Sequence, residues 1–301
     1  MTNPTPSALA ALSSGLGDVV EALTPSLATV LGRRQDATAT AWAPDLLVTA
    51  HHNLPRHGVP RVRLPDGTVI DATVRGRDPG TDLALLQVAA ELPVSEWVDT
   101  GGRVGELVLA LGRTESVRAT WGVISNTSGP WRTGWGGQVD RFLDVDASLP
   151  RGFSGGPLVA ADGTLLGLNT RGLLRGGTTL PTPTLRRVLD QLAEHGSVQR
   201  GWIGVGVHAV DLDGDGAQIT AQDRALLLTQ VVSGGPAAQA GLRQGDLLLT
   251  AGEVPLGASE DLLGALVGAE GQEIEVRYLR GGAILRSPVT PGARPGRKRA
   301  C

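Results

Sequence analysis

Residues able to perform acyl transfer are few in this chain, and they sit at turns between apolar runs. Ser154 stands in PRGFSGGPLVA (150–160), enclosed by glycines and prolines. Such a serine is either a turn residue or a hydroxyl presented for attack, because Gly and Pro punctuate ordinary turns. Attack needs a base for the proton and a carboxylate to hold that base in the right tautomer. Five histidines are present, at 51, 52, 57, 195 and 208, and His51 and His52 follow the strand-like run DLLVTA (45–50). Asp82 precedes a second apolar run in DPGTDLALLQV (78–88). Either imidazole is a candidate base at this level. The amides of Gly152, Phe153 and Ser154 can converge on an oxyanion if the chain turns sharply, with those of 152 and 154 best placed.

Other chemistries find less support. There is no HExxH, no cysteine pair and no phosphate loop ending in GK[ST], and the one cysteine is Cys301. No metal and no cofactor is therefore expected. GFSGG satisfies G-x-S-x-G, yet the order His, Asp, Ser is opposite in sense to that of α/β-hydrolases, and no strand-to-helix pattern follows the serine.

The elements that must position these groups are short strands. The 301 residues are 41% hydrophobic but 3% aromatic, so cores must be filled by Leu, Val, Ile and Ala. From about 26 to 180, runs such as TVIDATVRG, ELVLALG, TWGVISN and TLLGLNT are reset by Gly, Pro or Asp, the pattern of a strand-rich barrel or sandwich. A helix follows in TPTLRRVLDQLAEHG (182–196), with Thr182 as its cap, Pro183 in the first turn and Gly196 at its end. Residues 201 to 290 hold further strands, a helical turn at PAAQAGL, and a helix over 258–271 that turns Leu262, Leu263, Leu266 and Val267 inward. The limits read as an arm (1–24), a first domain (25–196), a linker (197–200), a second domain (201–290) and a basic tail (291–301). The arm reads as loose, with one short helical piece. A net charge of −3 gives no basic field for nucleic acid. The start carries no basic, apolar leader and no membrane-spanning run, so a cytoplasmic location is expected.

Taken together, these segments resemble the HtrA/Deg branch of trypsin-like serine proteases with a C-terminal PDZ domain. LLVTAHHN resembles the segment bearing the catalytic His, third after Thr49, which selects His52. DPGTDLALLQV resembles the Asp segment, giving Asp82, and VDASLPRGFSGGPLVAADGTLLGLNT (145–170) the nucleophile loop, giving Ser154. The resemblance implies a mainly β fold: a chymotrypsin-like pair of six-stranded β-barrels followed by a PDZ domain. It implies a serine endopeptidase acting on unfolded or partly folded proteins. The base of the specificity pocket would be Ser148, six residues before the serine, with Leu149 and Leu168 beside it and a preference for small or medium aliphatic groups. VQRGWIGVGV (198–207) resembles the entry to a PDZ domain. Trp202, Ile203, Gly204 and Val205 would then form the loop that binds a peptide's terminal carboxylate, and Ile203, Val205 and Leu263 or Leu266 an apolar pocket.

Departures from the family pattern leave a competitor. Phe153 stands where the family usually has Asn, and ATATAWAPD (37–45) where glycines are typical. The first aromatic is Trp42, so the aromatic residues through which relatives pack as trimers are missing from the arm, and a homotrimer is left open. The competing reading is a catalytically impaired, protease-like protein that binds peptides or acts as a chaperone.

Overall fold

The computed structural model describes residues 7–32, 35–99 and 102–292. It divides into two compact units, Met1–Thr133 with Gln138–Ser197, and Val198–Cys301 with Gly134–Gly137. Residues 1–6 of the expected arm and 293–301 of the expected tail lie outside the described residues.

The first unit opens with α1 (Ala8–Leu23), a 16-residue helix where a short piece in a loose arm is expected. Its Ala and Leu content favours helix locally, and Ser7 Oγ caps it by accepting from the Ala10 amide at 3.2 Å. Six strands follow: β1 (Leu27–Val30), β2 (Ala37–Ala43), β3 (Leu46–Ala50), β4 (Arg61–Arg63), β5 (Val69–Asp78) and β6 (Leu83–Val88). They close a barrel in the order β1-β2-β3-β6-β5-β4. Its interior is packed by small aliphatic residues, among them Ala28, Ala39, Ala41, Leu47, Val62, Ala84 and Leu86. In β2 the period of two sends Ala39 and Ala41 inward and Thr38 and Thr40 to the opposite face, where they too are buried.

Beyond it come β7 (Leu107–Arg113), β8 (Val117–Ser128), the short pair β9 (Trp131–Arg132) and β10 (Gln138–Val139), then β11 (Phe142–Val145), β12 (Pro157–Ala160), β13 (Leu165–Thr170) and β14 (Thr178–Pro181). All but β9 and β10 form a second six-stranded sheet, ordered β11-β8-β7-β12-β13-β14, whose outer strands approach one another. Helix α2 (Thr182–His195) then packs Leu185, Val188, Leu189 and Leu192 against β5, β6 and β13. Gly196 ends it at φ +74°. Thr182 does not cap it: it lies inside the first turn, and its hydroxyl instead donates to the Leu165 carbonyl at 3.3 Å.

The second unit contains β15 (Val205–Asp211), α3 (Gly214–Thr220), β16 (Arg224–Val231), α4 (Pro236–Gln239), β17 (Leu247–Ala251), β18 (Val254–Pro255), α5 (Ser259–Ala265), β19 (Ile274–Arg280) and β20 (Ala283–Val289). The sheet runs β15-β16-β17-β19-β20, leaving β15 at an edge. Helix α5 is half the expected length. Gly268 adopts φ +70° and the Val267 backbone pairs with Arg200, so the chain leaves the helix early. Leu262 and Leu266 are buried, whereas Leu263 is 39% exposed, contrary to the expected inward face.

Asp246 is the one fully buried carboxylate of the second unit among the described residues. Arg280 meets it through two nitrogens at 2.6 and 2.7 Å, and the Arg243 amide donates to it at 2.7 Å. Removing one member of such a pair strands the other charge in a poorly solvating place. Arg280→Ala is expected to cost the second unit about 2–3 kcal/mol, read as faster amide hydrogen exchange across β17 and β19 in the full chain.

Candidate active site

A carboxylate turn prepares the first half of the site. Asp78 is buried and accepts from the Gly80 amide at 3.0 Å and from the Thr81 amide and hydroxyl at 2.9 and 2.7 Å. This turn delivers Asp82 at φ +57°, an uncommon conformation for a residue with a Cβ. There Asp82 Oδ1 accepts the His52 amide at 3.0 Å, and Oδ2 lies 2.7 Å from His52 Nδ1. The Thr170 hydroxyl, from the end of β13, donates to the same Oδ2. The carboxylate is thus held on both oxygens, and the imbalance of charge fixes the Nδ1–H tautomer of His52. His52 keeps 41% of its side chain exposed, and it lines the groove that also holds Ser154. Behind the pair, a Cβ on Gly172 would stand 2.3 Å from Asp82 Oδ2 and 2.7 Å from His52 Nδ1, so that position must lack a side chain.

His51 does not line the groove shared by His52 and Ser154. Burial lowers its imidazole below the ordinary value of 6.5, partly offset by the Asp82 charge, so the neutral form is favoured. Its amide donates to the Asp82 carbonyl at 2.9 Å.

The second half is the loop 150–156. Gly152 at φ +93° and Gly155 at φ +88° make the sharp turns that residues with a Cβ resist. The Phe153 amide is consumed within the loop, donating to the Pro150 carbonyl at 3.2 Å. The Gly152 and Ser154 amides have no acceptor among the described residues. Ser154 Oγ accepts from the Arg171 amide at 3.2 Å, which leaves its proton to be given. Ser154 and His52 line one groove of about 780 Å³, but no hydrogen bond joins their side chains.

Phe153 does not crowd this turn. Its ring is 1% exposed and packs away from the groove against Gly112, where an added Cβ would lie 2.6 Å from the ring. The Arg118 guanidinium sits 5.3 Å from the ring centroid. An apolar side chain thereby anchors the loop in a position where a polar one is usual for the resembling family.

Sequence reading missed the groups that hold the loop from the other side. Thr38 Oγ1 donates to the Gly152 carbonyl at 2.6 Å, and Thr40 Oγ1 to the Gly155 carbonyl at 2.8 Å. Thr38 Oγ1 also accepts the Arg113 amide at 2.8 Å. The Ser154 carbonyl accepts from the Thr38 amide at 3.2 Å and from Asn53 Nδ2 at 2.9 Å. The alternation ATATA carried this signal, as did the Asn following His52.

The residues named for side-chain specificity are not brought to the groove. Leu168 is wholly buried, Leu149 is buried in the core of the second sheet, and Ser148 is exposed with its carbonyl engaged by the Thr120 hydroxyl at 2.6 Å. In the second unit, Ile203 is buried and Gly204 adopts φ +79°; their amides have no acceptor among the described residues. Trp202 is tied to Gly292 by a pair of backbone bonds at 2.8 and 3.0 Å. Val205 begins the edge strand, partly exposed, and α5 packs alongside it.

No group of three or more His, Cys, Asp or Glu among the described residues could hold a metal ion. No helix of the described residues is long and apolar enough to cross a membrane.

Comparison with known proteins adds to this geometry. The trypsin-like peptidase domain model matches residues 37–168, and the PDZ domain model residues 202–290. A probable periplasmic serine endoprotease, DegP-like, of Brucella suis is 34% identical over 214 residues, covering 67% of this chain and 41% of the relative. One of the same name from Rickettsia conorii is 30% identical over 257 residues, covering 81% and 51%. The chain thus spans about half the length, or less, of these curated relatives. Among solved structures, the HtrA-type protease AlgW with tripeptide has a TM-score of 0.71 at 30% identity, covering 93% of this chain and 97% of that one. The serine endoprotease from Yersinia pestis also scores 0.71, at 26% identity, covering 97% and 100%.

The names correct the cytoplasmic expectation: both relatives are called periplasmic serine endoproteases. The expectation rested on the composition of the opening residues, which carries less weight than the compartment named for the relatives.

Thr38 ties the two halves together, and its hydroxyl can be removed with little change of shape. Thr38→Val leaves the Arg113 amide and the Gly152 carbonyl unpaired, and is expected to lower stability by about 2 kcal/mol. Thr38→Ser should recover most of this, as measured by urea unfolding of the first unit.

Proposed function

The chain belongs to the HtrA-type family of trypsin-like serine proteases with a PDZ domain, and from that premise we propose that it is a serine endopeptidase cleaving unfolded or partly folded proteins. One observation supports this most: His52, held by Asp82, and Ser154 line a single groove beside two uncommitted amides. In this reading Ser154 attacks the peptide carbonyl while His52 takes its proton. Asp82 keeps His52 in the Nδ1–H form and stabilises the imidazolium. The Gly152 and Ser154 amides receive the oxyanion, each such donor contributing about 3 kcal/mol to the transition state. His52 then protonates the leaving amine and activates the water that releases the acyl group. Thr170 and Gly172 are positioning residues, acting through Asp82 and His52.

We assign the protease segment to 25–196, the linker to 197–200 and the PDZ domain to 201–290. The PDZ domain would capture peptide C-termini, the carboxylate on the Ile203 and Gly204 amides and the peptide strand beside the β15 edge. Peptide-bound AlgW structures give this reading precedent in a relative.

The unmade His52–Ser154 bond favours a second reading in which the chain binds without cleaving. A catalytic hydrogen bond left open without substrate and closed by its arrival is common. One assay separates the two. The purified chain and its Ser154→Ala variant are incubated with a permanently unfolded protein, and fragments are followed by mass spectrometry. Cleavage by the parent, reduced at least ~1,000-fold in the variant, is expected; no cleavage, with or without added C-terminal peptides, leaves only the binder. A Gly172→Ala substitution should push the His52–Asp82 pair aside, lowering kcat on the order of a hundredfold with little change in KM.

A further inference from the structure

The groove that holds Ser154 carries an electrostatic sign opposite to that of the chain. Arg61, Arg151 and Arg171 line it and are exposed, and His57 joins them. None of these three guanidinium groups has a carboxylate partner among the described residues. Some arginines elsewhere are paired, as Arg186 is with Asp99, Arg187 with Asp140, Arg224 with Asp211 and Arg280 with Asp246, while others such as Arg113 and Arg118 bond to backbone carbonyls. The one carboxylate in the groove, Asp36, is already committed, lying 3.6 Å from Arg63 and accepting the Gly32 amide at 3.2 Å. Three unpaired cations thus surround the nucleophile of a chain whose net charge is −3.

Their places in the loop structure bring them close to the reacting carbonyl. Arg171 is the residue whose amide donates to Ser154 Oγ at 3.2 Å. Arg151 immediately precedes Gly152, one of the uncommitted amides. Arg61 begins β4 on the other barrel, beside Val59 and Pro60, which with Leu54 and Pro55 supply an apolar floor. An extended peptide advances about 3.3 Å per residue, so side chains within two or three residues of the attacked carbonyl pass these guanidinium groups. Arginine stays charged at any working pH, and its planar fork fits a carboxylate better than it fits water. A cleft lined by one sign of charge also concentrates oppositely charged ligands.

Resting on the endopeptidase reading above, we propose that this groove selects segments carrying Asp or Glu within about three residues of the cleaved bond, with Arg151, Arg171 and Arg61 reading the carboxylates. An apolar residue at the bond and acidic neighbours would match the apolar floor and the cationic rim together.

The test uses the full chain and two fluorescence-quenched peptides that differ only in Glu or Gln on both sides of one apolar stretch. Both are N-acetylated and C-amidated, so neither offers a terminal carboxylate to the PDZ domain. The Glu peptide is expected to show kcat/KM about tenfold higher at low ionic strength, falling to about twofold in 0.5 M salt, where charges are screened within ~4 Å. Arg151→Gln and Arg171→Gln should each move the Glu-to-Gln ratio towards one, and Arg61→Gln likewise. In parallel, anisotropy of labelled versions of the peptides on the Ser154→Ala chain reads the same ratio as affinity. Equal cleavage and equal binding of the two peptides, or a preference indifferent to salt and to all three substitutions, overturns the inference and leaves the endopeptidase reading standing. Cleavage of neither peptide nor of an unfolded protein, with Arg-dependent tighter binding of the Glu peptide, overturns the endopeptidase reading and leaves acidic selection by the groove standing.

Discussion

The grip of two threonine hydroxyls on the nucleophile loop is the constraint on which the rest of the site depends. Thr38 and Thr40, on one strand of the first barrel, hold the carbonyls of Gly152 and Gly155 on the second sheet. A loop with glycines at φ +93° and +88° has little stiffness of its own, because glycine loses more freedom on ordering than any other residue. The hydroxyls supply the stiffness. Each carbonyl they bind fixes the peptide plane that it shares with the next residue's N–H, here those of Phe153 and Gly156. The Ser154 amide shares its plane with the Phe153 carbonyl, which accepts the Gly156 amide at 2.9 Å, so the planes gripped from across the barrel interface flank the oxyanion donors on either side.

The imidazole half obeys the same logic with a carboxylate in place of the hydroxyls. Asp82 is reached by the backbone of His52, by its ring and by the Thr170 hydroxyl. A buried carboxylate is costly unless its lone pairs are satisfied, and these donors satisfy both oxygens. Asp82 in turn accepts this strained backbone conformation because the Asp78 turn over-determines it. Thr170 belongs to β13, the strand that also accepts the Gly155 amide through the Asn169 carbonyl. The two halves are thus joined behind the groove as well as at Thr38, and displacement of either is felt by both.

Much of this was legible in the sequence, for physical reasons that differ from element to element. Short runs such as LALLQV, buried at five of six positions in β6, announce strands because nothing but a sheet buries both faces of so short a segment. Helix α2 was plain because its apolar spacing, its early proline and its terminal Gly196 agree. Ser154, Asp82 and the pair His51 and His52 stand out because reactive types at strand ends are rare in a chain so poor in histidine, and the family resemblance selects His52. What escaped reading depends on contacts remote in sequence. Thr38 and Gly152 are 114 residues apart, so the alternation ATATA marks a threonine face without naming the carbonyl that it meets. Gly172 looks like any loop glycine until Asp82 and His52 arrive beside it. The helix over 258–271 was overextended because an apolar pattern does not record the left-handed turn at Gly268.

Phe153 shows how a departure from a family pattern can preserve what the pattern achieves. A polar side chain before the nucleophile would need a buried partner, since an unsatisfied polar group in such a place costs free energy. Here the ring fills a niche opened by the missing side chain of Gly112 and is covered by the Arg118 guanidinium. That same arginine donates to the Arg151 carbonyl at 3.3 Å, on the peptide that carries the Gly152 amide. In a trans peptide the carbonyl and the N–H point in opposite directions, so holding the carbonyl on the Arg118 side directs the Gly152 amide away from it. Apolar packing and one guanidinium thus take over the orienting task, while Thr38 and Thr40 secure the Gly152 and Gly155 carbonyls. The oxyanion donors need only fixed backbone planes, and the chemistry is indifferent to which side chains fix them.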